Sequence, residues 1–89
     1  MAKVVLTAHL AAYASKTEFS VDANDVRNSL ERIFDGEPGL RSYVLDDQGR
    51  PRKHVAILVN GQPIKDRDQL SDQVTDSDSI FILQALSGG

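Results

Sequence analysis

One stretch of this chain carries helical periodicity over more than a single turn, and it is short. Val26, Leu30, Ile33 and Phe34 fall at i, i+4, i+7 and i+8, which sets them on one apolar stripe. Arg27, Asn28, Glu31 and Arg32 take the opposite side. Asn24 is the expected N-cap, and Asp25 falls in the first turn, where the helix dipole favours an acid. Gly36 and then Pro38 are expected to end the helix. The remaining apolar runs are rich in β-branched residues and read as strands. A chain with one main helix can cover one face of one sheet, so the fold class is α+β, a roll in the order β-β-α-β-β-β.

The strands follow from alternation and turn chemistry. Val4–Ala8 is the first, and Glu18–Val21 the second, with a turn at Ser15-Lys16-Thr17. Residues 37–53 read as a loop holding a short apolar piece, Tyr43-Val44-Leu45. His54–Val59 is the strongest strand, and Asn60-Gly61 after it is a hairpin signal. Residues 65–78 are polar and carry Asp66, Asp68, Asp72, Asp76 and Asp78, with Leu70 and Val74 as apolar anchors on an expected helical turn. Ser79–Leu86 is the last strand.

Strand side chains alternate between faces. With Ile80 and Ile82 toward the helix, Phe81, Leu83 and Ala85 point away from it. Val4, Leu6 and Ala8 point inward, and Val5 and Thr7 outward. Val55, Ile57 and Val59 point inward, and His54, Ala56 and Leu58 outward. Unless the loops at 37–53 or 65–78 fold over them, Phe81, Leu83, Leu58 and Val5 form an exposed apolar patch, the mark of a partner site.

Composition removes several kinds of chemistry. The chain of 89 residues fits one domain, and it contains no cysteine, so disulfides, thiolate metal sites and a thiol nucleophile are excluded. His9 and His54 are far apart, lack spaced partners and read as plain surface residues; no metal site is expected. A net charge of −3 speaks against a general nucleic-acid or membrane-surface binder. No apolar run approaches the roughly 20 residues of a bilayer span. Thr7 and His9 interrupt the apolar N-terminal run, so no secretory signal is expected and the chain reads as cytoplasmic. Arg50, Arg52 and Lys53 read as a solvated basic loop, with contact to a charged partner as the alternative.

The first strand ending in Ala8, PGLR after the helix, VNGQPI after the third strand and the closing DSDSIFILQALSGG together resemble the ThiS/MoaD sulfur-carrier family. The resemblance spans nearly the whole chain in the right order. The basic loop GRPRK is most similar to the longer branch, which includes carriers for cysteine synthesis. Three positions depart from the pattern: Gln84 stands where proline is frequent, Ser77 replaces the glycine of a DGD turn, and Ala11 replaces the arginine common in molybdopterin-type members.

The resemblance implies a β-grasp (ubiquitin-like) fold over 1–86, with a flexible Ser-Gly-Gly tail at 87–89. It implies a protein that is not itself an enzyme and binds no cofactor of its own. A ubiquitin-activating-type adenylating enzyme would use Mg-ATP on the Gly89 carboxylate, and a sulfur donor would convert the product to a thiocarboxylate. A sulfur-accepting biosynthetic enzyme would then receive the sulfur. Gly88 would thread beside Gly89, since neither glycine has a Cβ to obstruct a narrow site. Phe81, Leu83, Leu58, Val5, Ala85 and Ser87 would meet the partner proteins. Three other readings stay open at this point: a ubiquitin-like modifier conjugated through Gly89, the small subunit of molybdopterin synthase, or a plain β-grasp interaction module whose tail is inert.

Overall fold

The computed structural model describes residues 1–84; the expected strand end at Ala85 and Leu86, and the tail at Ser87, Gly88 and Gly89, lie outside the described residues. In chain order the elements are β1 (Ala2–Leu6), α1 (Ala8–Ala11), β2 (Glu18–Val21) and α2 (Val26–Gly36), followed by α3 (Pro38–Val44), β3 (Val55–Val59), β4 (Gln62–Pro63) and β5 (Ser79–Gln84). One mixed five-stranded sheet runs β2-β1-β5-β3-β4. β1 and β5 pair in parallel at its centre, and every other pairing is antiparallel.

The α2 stripe packs as its spacing demands: Val26, Leu30, Ile33 and Phe34 are all buried. They meet the inward residues of the sheet, among them Val4, Leu6, Ile57, Ile80 and Ile82, each at most 3% exposed. Ser29 is the buried polar residue of this core. Its hydroxyl donates 2.7 Å to the Asp25 carbonyl, so no hydrogen-bonding group is stranded there.

The helix start differs from the expectation by one residue. Asp25 rather than Asn24 is the N-cap, with its carboxylate accepting from the Asn28 N–H at 2.7 Å. Asn24 instead uses its backbone carbonyl to accept from Val74 N–H, which ties the polar loop to the helix start. Pro38 does follow the end of α2, but it also opens α3, since proline suits the first helical turn. Residues 38–44 are therefore helical rather than loop, with Leu40 and Val44 at i and i+4 fully buried.

The first strand also ends earlier than expected. It stops at Leu6, and Ala8 belongs to α1, which carries buried Leu10 into the core. His54 sits in a turn before β3 rather than on the strand. At the end of β3, Asn60 (φ 52°) and Gly61 (φ 86°) make the expected hairpin turn in left-handed backbone. The Asn60 side chain donates 2.8 Å to Asp78 and accepts from Ser79 N–H at 2.9 Å, which clips this turn to the start of β5.

The cap assignment is testable by urea denaturation. Asp25→Ala is expected to cost about 1 kcal/mol. Asn24→Ala, which leaves the backbone carbonyl in place, should stay within about 0.5 kcal/mol.

Candidate functional site

Strand register decides what the helix-free face presents. Opposite Phe81 of β5 stand Val5 of β1 on one side and Leu58 of β3 on the other. Glu18 continues that row beyond Val5, and Pro63 beyond Leu58. One step further along β5, Leu83 stands opposite Ala56. The four residues expected to form a patch are thus brought together across three neighbouring strands.

The patch is less open than expected. Val5, Leu58, Phe81 and Leu83 are each partly exposed, and among the described residues the large apolar side chains that stand well into solvent are Met1, Tyr13 and Tyr43. Neighbouring side chains on a pleated sheet shield one another, which explains the difference. A Lys3–Glu18 ion pair at 3.6 Å borders the patch on the β2 side. Its apolar line runs along β5 toward Leu83 and Gln84, and so toward the chain's last residues.

Two features frame the last described residues of β5, and the sequence signalled neither plainly. Gln84 pairs with Val55, and Arg67 donates to the Val55 carbonyl at 3.0 Å, so a guanidinium from the polar loop braces that pair. α1 packs against β5, and the Thr7 N–H just before α1 donates 3.2 Å to the Ile82 carbonyl. The signals were a lone arginine within an acidic segment and an alanine-rich run behind Thr7. Of the other expected site residues, Ala85, Ser87, Gly88 and Gly89 lie outside the described residues.

The loops around the sheet are tied by carboxylates, each accepting hydrogen bonds that favour its charged form. The Ser15 hydroxyl, then the Ser15 N–H, lowers Glu37 below its ordinary 4.5. Asp46, Asp66 and Asp78 fall below 3.8 chiefly through the backbone N–H groups of Arg50, Gln69 and Thr75 respectively. Among the described residues there is no cluster of three or more acids or histidines able to hold a metal ion, and no helix is long and apolar enough to cross a membrane.

A mixed sheet with parallel central strands, gripping one main helix on a single face, is the ubiquitin-like β-grasp. Within that class the sequence is more specific: the ThiS family profile matches residues 4–89, and the chain belongs to the ThiS family. Small archaeal modifier protein 3 of Haloferax volcanii is 31% identical over 65 residues, a match spanning 73% of this chain and 66% of that protein's length. Small archaeal modifier protein 1 of Methanosarcina acetivorans is 29% identical, with a TM-score of 0.84 over 99% of this chain and 95% of that one. A chain of the Amycolatopsis orientalis BexX/CysO complex superposes with a TM-score of 0.85 over 100% of both chains, a likeness of fold at 17% identity. The two archaeal relatives are named small modifier proteins, and the Amycolatopsis orientalis and Helicobacter pylori neighbours are chains of protein–protein complexes.

The two sheet faces should respond differently to substitution. Ile82→Ala, which empties a fully buried position, is expected to cost about 2–5 kcal/mol. Val5→Thr on the outer face should cost less than about 1 kcal/mol by the same denaturation assay.

The carboxylates predict an acid limb. Their folded-state pKa values lie below the unfolded ones, so their stabilisation is complete above about pH 5. It declines as pH falls past 4.5 for Glu37 and 3.8 for the three aspartates, and is lost below their depressed folded values. Denaturation midpoints measured from pH 6 to pH 2 should fall along that course, and Asp66→Asn with Asp78→Asn should flatten it.

Proposed function

We propose that this protein is a cytoplasmic sulfur carrier whose working group is the carboxylate of Gly89. The observation that carries this reading is the family match, which extends through Gly88 and Gly89 to residue 89. It is supported by the position of β5, which leads from the sheet centre toward those residues. It is also supported by the thiol-free composition, which leaves an acyl group as the natural place to hold sulfur.

The chemistry has two steps. A carboxylate is a poor acyl donor because attack must expel oxide. An adenylating enzyme of the ubiquitin-activating type removes that obstacle: a Gly89 oxygen attacks the α-phosphorus of Mg-ATP, pyrophosphate leaves, and an acyl-adenylate results. Hydrosulfide then attacks the acyl carbon, AMP leaves with the bridging oxygen, and a proton is released. The product thiocarboxylate carries a nucleophilic sulfur to an accepting biosynthetic enzyme. Mg-ATP belongs to the activating enzyme. Val5, Leu58, Phe81 and Leu83, continued by Ala85 and Ser87, dock the body while Gly88 and Gly89 reach about 7 Å further into a narrow site.

The modifier reading shares the first step. It is favoured by the names of the archaeal relatives, and it replaces sulfur transfer with attack by a lysine amine on the acyl carbon.

Intact mass of the free protein after incubation with its activating enzyme, Mg-ATP and sulfide should rise by one oxygen-to-sulfur exchange. Gly88→Ala should slow that conversion at least about tenfold while leaving the unfolding midpoint unchanged. An unmodified mass would count against the carrier, and lysine-linked adducts in lysate would favour the modifier.

A further inference from the structure

The chain contains two tyrosines, and the fold lays one over the other. Their ring centroids are 3.6 Å apart and their planes differ by 14°, which leaves little room for an offset between the rings. Tyr13 follows α1, and Tyr43 belongs to α3. Both stand in solvent, at 43% and 41% exposure. Aromatic packing favours offset or edge-to-face pairs over a sandwich, so packing alone does not account for this arrangement.

The surroundings hold the rings together. Ser15, two residues beyond Tyr13, gives its N–H and its hydroxyl to the Glu37 carboxylate, the N–H at 3.1 Å. Glu37 is the residue that opens α3. The same two segments are thus tied twice, once by a carboxylate and once by the stack. α1 itself is four residues long, and the Thr7 side chain at its start makes no capping hydrogen bond. A single turn of that kind does not hold itself, so its position rests on such ties.

We propose that Tyr13 and Tyr43 form an oxidative cross-linking site, at which a peroxidase with hydrogen peroxide joins the two rings and staples the end of α1 to α3. Each phenol loses one electron and one proton, and hydrogen peroxide takes up both pairs to become two waters. The two phenoxyl radicals form a carbon–carbon bond between ring positions ortho to their oxygens. The hydrogens on those carbons move to the oxygens, which restores both phenols. The chain ends two hydrogens lighter.

Composition directs the oxidant to this place. The chain has no cysteine, no tryptophan and a single methionine, Met1. Met1 is exposed, but it gains oxygen rather than losing hydrogen, so its reaction is read separately. Rings already in contact couple at an effective concentration of millimolar order or above, against the micromolar concentration of a second chain. The bond therefore forms within one chain. The site uses neither the outer face of β5 nor Gly89, so its outcome is independent of the carrier reading.

The test treats the full chain, at about 10 µM, with hydrogen peroxide and a peroxidase. The expected product is a monomer two hydrogens lighter, with the blue fluorescence of a biphenol and a digest in which the Tyr13 and Tyr43 peptides are joined. Tyr13→Phe and Tyr43→Phe keep a ring in the stack and remove one phenol, so each should fold and lose the product. Glu37→Ala frees Ser15 without removing a side-chain cap of α3, and should slow the coupling at least about threefold. The purified product should unfold at a higher urea concentration than the untreated chain, because the new bond closes a long loop in the unfolded state.

Cross-linked dimers in place of the lighter monomer, or oxygen gained at Met1 with no hydrogen lost, would overturn the proposal. So would the same product from either phenylalanine variant, full-rate coupling by Glu37→Ala, or a urea midpoint no higher than before.

Discussion

The structure depends on the parallel pairing of β1 with β5. These strands come from opposite ends of the described chain, yet they lie side by side at the centre of the sheet. A parallel pair cannot be joined by a tight turn, so everything between Leu6 and Ser79 must cross over and return. Their register places Val4, Leu6, Ile80 and Ile82 against the helix. A slip of one residue would turn Val5 and Phe81 into the core and Val4 and Ile80 out of it. Because this contact spans most of the sequence, its loop-closure entropy is large and its formation slow relative to the local hairpin at Asn60-Gly61.

The intervening chain is held to that centre by a few polar ties. Arg27 of α2 donates to the Gly49 carbonyl at 2.8 Å and the Gln69 carbonyl at 3.2 Å, joining one helix to two loops. Asp72 accepts from Lys65 and Asp66 N–H groups at 2.9 Å, and Leu70 plugs the core in left-handed backbone at φ 58°. Long loops are usually mobile. Here they are tied, and the outer sheet face and the end of β5 stand on a fixed frame.

The sequence was most informative where periodicity was long or a turn required special backbone. The α2 stripe, the alternation of β5 from Ile80 to Leu83 and the Asn60-Gly61 turn are each determined by local chemistry, and the structure has them as read. α3 was hidden because Pro38 and Gly39 punctuate a sequence as loop, although Leu40 and Val44 at i and i+4 carried a helical signal. α1 is four residues long and follows a β-branched run, so its single turn merges with the preceding strand pattern. Asp25 and Asn24 are both good caps, and the local pattern alone does not decide between them. The outer-face residues were legible because alternation is strict. Their degree of exposure was not, since it depends on neighbours from three strands. The brace from Arg67 to Val55 is a long-range contact that no local pattern announces.

The inequality of the two sheet edges has a consequence for assembly. Strand pairing at β2 uses up the one edge able to accept it, while Pro63 and the brevity of β4 leave the other shut. Two sister molecules paired through β2 therefore leave only β4 edges, and stacking along the sheet direction stops at two. Built this way, the protein can be abundant in a crowded cell without seeding a ribbon.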